Sequence, residues 1–172
     1  GVLPAVLVNY QKEYSVSGRE IVGALYVAAG IGQVIASRAF IAGALGGCQA
    51  EIGSASAMAA GALVSLRGGG ERQISHAAAM ALKNLLGLVC DPVGGLVEVP
   101  CVKRNVIGAV NALSAADMSL AGIESRISPD QVIDAMREVG EQMHPSLKET
   151  GEGGLAATPD AKNAFIFVEG LV

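Results

Sequence analysis

Residues 51–66 read EIGSASAMAAGALVSL and are dominated by alanine, serine and glycine. Gly53, Ala57 and Gly61 recur every four residues, so in a helix they share one face, where their small size lets a second helix approach closely. Three consecutive glycines at positions 68–70 then favour the end of the helix. The segment therefore predicts a helix that is buried against its neighbours and packed through small residues.

The segments on both sides also favour helices. We predict them at residues 4–13, 19–36, 72–88 and 102–121, with a further helix that begins after Ser128. Ser17 can cap the second of these helices, and Ser128 precedes Pro129 and Gln131 in the pattern of a capping box. An apolar stripe follows at Val132, Ile133, Met136, Val139 and Met143. Because no alternation typical of strands appears among these segments, we predict an all-α fold, a compact bundle of buried apolar helices with small-residue packing faces.

A single helical domain is expected over residues 1–160, because a chain of 172 residues suits one compact domain. Residues 161–172 differ in character, since Phe165, Ile166, Phe167 and Val168 form an apolar run without helix-capping residues. This tail fits a strand, a docking segment or residues foreign to the native chain equally well, and its structure stays open.

The composition excludes several classes of protein. The chain is 51% hydrophobic and carries a net charge of −4, without a basic run, so nucleic-acid binding is not expected. The apolar run at residues 21–36 contains Gln33, is followed by Arg38, and is shorter than the roughly 20 residues that span a bilayer. It therefore predicts a buried helix and no membrane partner. We also expect no secretory signal peptide, and hence a reducing, cytoplasmic compartment.

The three cysteines all lie at predicted ends of helices or loops, beside glycine or proline. Cys48 follows two glycines, Cys90 opens a loop over residues 90–100, and Cys101 closes that loop. Such junctions let side chains from different segments converge and leave backbone N–H groups free to bond sulfur. Their spacing alone does not distinguish an iron–sulfur cluster from a zinc site or from free thiols. Three protein ligands would leave one coordination position open for Lewis-acid catalysis.

Other polar residues near the cysteines allow two interpretations each. His76 lies 14 residues before Cys90, roughly 21 Å along a straight helix, so a role in helix packing is favoured. Lys103 and Arg104 either attract a substrate carboxylate or balance negative charge at the site, or they belong to a solvated first helical turn. Asp91 is expected to cap its loop, with a role as a base as the less favoured alternative. Lys148 and Glu149 either help to order the glycine-rich segment that follows them or are simply exposed.

Three sequence blocks resemble one family of enzymes. They are GGCQAEIGSASAMAAG at 46–61, HAAAMALKNLLGLVCDPVGGLVEVPCVKRNVIGAVNA at 76–112, and KETGEGGLAATP at 148–159. All three are similar to the iron–sulfur L-serine dehydratases, also called L-serine ammonia-lyases, and most similar to the α subunit of the two-subunit bacterial form. The resemblance covers about residues 3–159, and the middle block is its most specific part.

The resemblance implies a [4Fe–4S] cluster held by Cys48, Cys90 and Cys101, and no pyridoxal phosphate. It implies deamination of L-serine to pyruvate and ammonia, in amino-acid catabolism and gluconeogenesis. It also implies a β subunit or regulatory domain as a partner, and we expect an oligomer. The family's catalytic chain has a further N-terminal region, so we expect this chain to be part of a longer protein and incomplete as an enzyme.

Three other functions remain open at this point. A related L-cysteine desulfidase would use similar chemistry on a different substrate. A non-catalytic helical module would use the cysteines as free thiols or as ligands of a structural zinc. A small integral membrane protein is the third alternative, and the sequence does not identify the general base for any enzymatic function.

Overall fold

A computed structural model describes residues 1–164, which form a bundle of eight α-helices without a strand among them. The helices are α1 (Val2–Tyr14), α2 (Gly18–Arg38), α3 (Gly43–Gly46), α4 (Ser54–Leu66), α5 (Glu71–Lys83), α6 (Cys101–Leu120), α7 (Pro129–Gln142) and α8 (Pro159–Ala164). A π-helical turn at Gln49–Gly53 precedes α4, and short 3₁₀ turns lie at Val93–Gly95, Pro145–Leu147 and Gly154–Ala157. The predicted all-α class is confirmed. The apolar run at residues 165–168 lies outside the described residues.

Helix α4 lies at the centre of the bundle and packs against α1, α2, α5 and α6. Its residues Ala59, Ala60 and Leu63 are fully buried. The predicted small-residue face is confirmed, because a Cβ on Gly61 would overlap the Cδ1 atom of Ile31 on α2. The absence of a side chain at this position lets α2 and α4 approach closely.

The predicted helix ends are partly correct. Ser17 and Glu20 form a full capping box at the start of α2. The Ser128 side chain accepts a hydrogen bond from the Gln131 amide at 3.4 Å, but no reciprocal bond from the glutamine closes a box. Helix α5 ends at Lys83 rather than at residue 88.

The chain after α5 turns towards the interior instead of continuing the helix. The Gly87 amide donates to the side-chain oxygen of Gln49 at 2.9 Å, and Gly87 has a positive φ of 83°. This backbone conformation is incompatible with a right-handed helix, which explains the early end of α5. Cys90 therefore lies in a loop, seven residues beyond the last residue of α5, and Cys101 is the first residue of α6 rather than the residue before it.

The prediction that the second helix is buried was wrong. Only Ala24, Ala28 and Ile35 of α2 are buried, so 17% of the residues in its most apolar part are buried. Its exposed face includes Val22, Leu25, Tyr26 and Val34. Among the described residues, α2 is the one helix long and apolar enough to cross a membrane, with a mean hydropathy of 1.5. These three buried residues and the partly buried Ile21 and Ile31 pack against the bundle, and most of the rest of the helix is exposed.

Candidate metal centre

All three cysteines line one cavity of about 710 Å³ between α1, α6 and the loops that hold Cys48 and Cys90. Each cysteine is free and buried. Residues along the first halves of α1 and α6 contribute to the lining, together with Glu51, Glu149 and residues of the loop after Cys90. The predicted convergence of the three cysteines at one place is thus seen in the structure.

Two glycines make room for the cysteines. Gly47, directly before Cys48, has φ 77° and ψ 179°, a region that essentially only glycine adopts. A Cβ on Gly47 would lie 2.7 Å from the Met143 Sδ and 2.8 Å from the Leu88 carbonyl oxygen. A Cβ on Gly43 would lie 3.0 Å from the Cys90 Sγ. The backbone at this junction can therefore approach its neighbours only because side chains are absent.

A buried glutamine fixes the segment that follows Cys48. Gln49 is fully buried, and its side-chain amide donates to the Met136 carbonyl oxygen at 3.1 Å. Its side-chain oxygen accepts from the Gly87 amide, and its backbone amide donates to the Leu88 carbonyl oxygen at 2.9 Å. These bonds connect the Cys48 junction to α7 and to the loop before Cys90, because a buried polar group must find partners within the protein.

The segment before the glycine-rich stretch pairs with the backbone of Cys90. The Cys90 amide donates to the Leu147 carbonyl oxygen at 2.8 Å, and the Glu149 amide donates to the Cys90 carbonyl oxygen at 2.8 Å. This is the isolated parallel bridge between Cys90 and Lys148. Glu149 adopts a positive φ of 66° and lines the cavity. The backbone of Glu149 therefore ties this segment to Cys90, while the residue itself is exposed.

Arg104 and Asp91 form a buried ion pair beside the cysteines. The Arg104 Nη1 lies 2.6 Å from the Asp91 Oδ1, 2.9 Å from the Val89 carbonyl oxygen and 4.0 Å from the Cys48 Sγ. The other carboxylate oxygen of Asp91 accepts a hydrogen bond from the Leu155 amide at 2.7 Å. Arg104 thus contacts the site rather than solvent, and Asp91 ties its loop to the glycine-rich segment.

Burial raises the pKa of each cysteine thiol. For Cys48 the nearby Cys90 and the Arg104 guanidinium oppose this increase, whereas for Cys90 the neighbouring Cys48 and Glu149 add to it. For Cys101 the guanidinium again opposes the effect of burial. The metal-free thiols are therefore protonated at neutral pH, and binding of a metal must release their protons.

Residues 1–164 do not bring three His, Cys, Asp or Glu side chains close enough together to hold a single metal ion. An iron–sulfur cluster spreads its ligands more widely, since each thiolate binds a different iron. Three free, buried thiols on the wall of one cavity, with a guanidinium beside them, fit such a cluster.

His76 lies away from the cavity, as predicted. Its Nδ1 accepts a hydrogen bond from the Ser125 amide at 3.2 Å, and its Nε2 lies 3.9 Å from a Glu124 carboxylate oxygen. The histidine thus connects α5 to the turn before α7.

The sequence interpretation did not single out Gln49 or Glu51. Gln49 is the polar residue directly after Cys48, and Glu51 is the one carboxylate in a run of small and apolar residues at 46–66. Both also lie on the π-helical turn, a feature that occurs frequently at functional sites. These two polar residues within a small and apolar run were the sequence signal that could have identified them as site residues.

The helical fold and the cavity lined by three free cysteines define the class of this protein, an all-α protein with a candidate metal centre. The family model described as serine dehydratase alpha chain matches residues 1–156. The chain belongs to this serine dehydratase alpha chain family, and the family predicted from the sequence blocks is confirmed.

Several relatives carry the name of the same enzyme. The chain is 58% identical to the probable L-serine dehydratase alpha chain of Latilactobacillus sakei, over 92% of this chain and 76% of the relative. It is 55% identical to the corresponding protein of Bacillus subtilis, over 94% of this chain and 54% of the relative. It is 51% identical to the L-serine dehydratase alpha chain of Peptoniphilus asaccharolyticus, over 92% of this chain and 54% of the relative. The chain thus spans about half the length of the latter two relatives.

Proposed function

We propose that this chain is the cluster-bearing part of an L-serine ammonia-lyase, which converts L-serine to pyruvate and ammonia without pyridoxal phosphate. The observation that carries the proposal is the meeting of Cys48, Cys90 and Cys101 on one cavity wall, each free and buried. Membership of the serine dehydratase alpha chain family supports the same conclusion.

Under this proposal the three cysteine thiolates hold a [4Fe–4S] cluster. When bound, this group would supply a Lewis acid that stabilises the negative charge on the departing 3-hydroxyl of serine. Burial of the three cysteines shields their sulfur atoms from bulk water. Arg104 places a positive charge beside the thiolates.

The reaction also needs a group that accepts the proton from Cα, and two carboxylates line the cavity. Glu51 lies one helical turn after Cys48, on the π-helical turn, while Glu149 lies on the loop that pairs with Cys90. A Cβ on Gly43 would lie 3.2 Å from the Glu51 Oε2 and 3.0 Å from the Cys90 Sγ, so this carboxylate reaches the neighbourhood of the cysteines. We infer that Glu51 is the proton acceptor, because a carboxylate within reach of the substrate can act as a general base.

The activity, substrate and partners of the whole protein belong to the proposal. The chain spans 54% of two of its relatives, and the names of these relatives describe an alpha chain. A β subunit or regulatory domain is therefore proposed as the partner, in an oligomeric, cytoplasmic enzyme that binds neither nucleic acid nor membrane.

The test is anaerobic reconstitution of the chain with iron and sulfide. We expect about four irons per chain, as the cluster formula requires, and a change in the visible spectrum on addition of L-serine. Cys48→Ser, Cys90→Ser and Cys101→Ser should each lose iron, whereas Ser37→Ala, on the exposed face of α2, should retain it. A parent chain that retains no iron, or a Cys90→Ser variant that retains as much as the parent, would contradict the proposal.

Two measurements separate the alternative functions. Comparison of pyruvate release from L-serine and from L-cysteine by the complete enzyme distinguishes the lyase from a cysteine desulfidase. Metal analysis distinguishes the non-catalytic module, since a structural site would contain zinc and free thiols would contain no metal, whereas the proposed cluster contains iron and sulfide.

A further inference from the structure

The segments that carry the three cysteines are distant in the sequence, and one side chain contacts or adjoins all of them. Arg104 lies in the first turn of α6, which begins at Cys101. Its Nη1 lies 2.9 Å from the carbonyl oxygen of Val89, the residue before Cys90, and 4.0 Å from the Cys48 Sγ. The guanidinium therefore lies where the three cysteine segments meet.

Asp91 holds this guanidinium and extends the connection to a fourth segment. Its Oδ1 accepts from the Arg104 Nη1 at 2.6 Å, and its Oδ2 accepts from the Leu155 amide at 2.7 Å. The Asp91 side chain is 3% exposed and that of Arg104 is 17% exposed. Both carboxylate oxygens have a partner, as a buried charge requires. The glycine-rich segment is thereby fastened to the loop that carries Cys90.

The hydrogen-bond capacity of Nη1 shows that its interaction with Cys48 is mainly electrostatic. This nitrogen carries two hydrogens, and the bonds to Val89 and Asp91 use both. The longer 4.0 Å approach to the Cys48 Sγ is then an interaction of charge with sulfur. The guanidinium is thus the part of the ion pair that lies against Cys48.

We propose that Arg104 and Asp91 form a clasp that holds the three cysteine segments in register and places one fixed positive charge beside the bound cluster. This inference rests on the proposed function and deepens it, because it assigns a positioning residue to the same site. Two separate effects follow. The clasp orders the loops before any metal binds, and its charge favours a cluster with three thiolate ligands, since partners outside the ligand set tune both affinity and potential.

The test compares Arg104→Met, Arg104→Lys and Asp91→Ala with the parent chain. Arg72→Met is the matched control, because Arg72 forms a 2.9 Å pair with Glu124 on the surface away from the cysteines. In the metal-free chain, amide hydrogen exchange should accelerate at the Cys90, Glu149 and Leu155 amides in Arg104→Met and Asp91→Ala, and stay unchanged in the control.

The reconstituted chain tests the effect of charge. Arg104→Met should bind iron about 10- to 100-fold more weakly, the range found when groups that support metal ligands are removed. Its cluster should have a lower reduction potential, because loss of a nearby positive charge disfavours the added electron. Arg104→Lys keeps the charge and should recover most of the potential, although it loses the planar guanidinium.

The outcomes separate this inference from the proposed function. A parent chain that takes up no iron contradicts the proposed function. The exchange measurement on the metal-free chain then shows whether the Arg104–Asp91 pair orders the loops. Unchanged exchange in both Arg104→Met and Asp91→Ala overturns the clasp whatever the iron content. Faster exchange with unaltered iron affinity and potential overturns it as well, since the pair would then serve the stability of the loops alone.

Discussion

At the scale of single residues, the surroundings of Cys48 depend on a residue without a side chain. Gly47 and Gly68 have the same φ of 77°, but their surroundings differ. A Cβ on Gly47 would lie against the Met143 side chain and the Leu88 backbone, whereas a Cβ on Gly68 would meet nothing within 4 Å. The pair therefore contrasts a glycine whose Cβ would clash with one whose Cβ would lie in open space.

Gly47→Ala should reduce the free energy of unfolding by at least about 3 kcal/mol, because strain in a region restricted to glycine adds to overlap with a backbone carbonyl that cannot move freely. Gly68→Ala is the matched control and should cost about 1–2 kcal/mol, the penalty for a left-handed conformation alone. Chemical denaturation of the metal-free chain measures both values. A loss in Gly47→Ala no larger than that in Gly68→Ala would contradict both the strain and the clash assigned to Gly47.

The carboxylate of Glu51 carries a second prediction at this scale. In the complete enzyme, Glu51→Gln should lower kcat about 10²- to 10⁴-fold, because the amide cannot accept the Cα proton. Its iron content should equal that of the parent, since Glu51 is not proposed as a ligand. Glu149→Gln is the matched comparison, because both carboxylates line the same cavity. A larger loss of kcat in Glu149→Gln would move the role of proton acceptor to that residue.

At the scale of helices, the sequence predicted the existence of the elements better than their ends. The four-residue spacing of Gly53, Ala57 and Gly61 identified the packing face of α4 correctly, because a helical repeat alone places these residues together. The predicted end of α5 was wrong, because the path of the chain after this helix depends on the bond from the Gly87 amide to Gln49, 38 residues away in the sequence. A local pattern contains no information about such a distant partner.

Close contact between α2 and α4 can be tested with a double-mutant cycle. Gly61→Ala should destabilise the protein by about 1–3 kcal/mol, because the new Cβ overlaps the Ile31 Cδ1. In the background of Ile31→Val, which removes that atom, Gly61→Ala should be nearly neutral, since alanine favours the helix by up to about 1 kcal/mol over glycine. Thermal or chemical unfolding of the four proteins gives the coupling free energy.

Gly23→Ala on α2 provides the control for this cycle. No atom lies within 4 Å of the position of its Cβ, so this change should stabilise the protein by up to about 1 kcal/mol through helix propensity alone. Additive effects of Gly61→Ala and Ile31→Val would mean that the two helices do not touch at this point.

The capping box of α2 gives a prediction with a defined pH dependence. Ser17→Ala should reduce stability by about 1 kcal/mol at neutral pH, the usual cost of losing a serine N-cap. Hydrogen bonds from the Ser17 side chain and backbone lower the pKa of Glu20 in the folded state. A lowered folded-state pKa means that this group stabilises the protein above its ordinary value of 4.5 and that the contribution disappears as the pH falls through the lowered pKa.

The difference in stability between the parent and Ser17→Ala should therefore shrink as the pH is lowered from neutral to about 3. Denaturation curves at several pH values measure this change. The matched control is Ser128→Ala, where the serine caps α7 without a reciprocal carboxylate. Its cost should vary little over the same range, and an equal pH dependence in both variants would exclude the capping box as the cause.

At the scale of the whole molecule, the sequence revealed how apolar the chain is but not which surfaces remain uncovered. The short apolar run at residues 21–36, with Gln33 within it and Arg38 after it, led to the prediction of a buried helix, yet α2 exposes most of its length. Helix α6 also exposes Val106, Ile107 and Val110. The convergence of the cysteines could be anticipated from glycine and proline at their junctions, whereas the Arg104–Asp91 pair depends on tertiary structure and could not be derived from residue type.

The exposed apolar face of α2 fits association with another protein better than insertion into a membrane. The two ends of the helix are charged, and Arg38 pairs with Asp134 of α7 at 2.8 Å, so insertion would have to break this contact with the bundle. Exposed apolar patches of this kind mark surfaces of association. We therefore expect the chain to remain in solution without detergent and to self-associate as its concentration rises, which sedimentation velocity can measure.

Val22→Lys combined with Tyr26→Lys should weaken this association, because both side chains are at least half exposed and contribute apolar surface to α2. The double variant adds two positive charges, and Glu138→Lys on the polar face of α7 produces the same change in net charge as a control. The control should associate like the parent. Flotation of the parent with lipid vesicles, abolished by the α2 variant and not by Glu138→Lys, would instead identify α2 as a membrane-binding helix, since the same apolar side chains would then be buried by lipid rather than by protein.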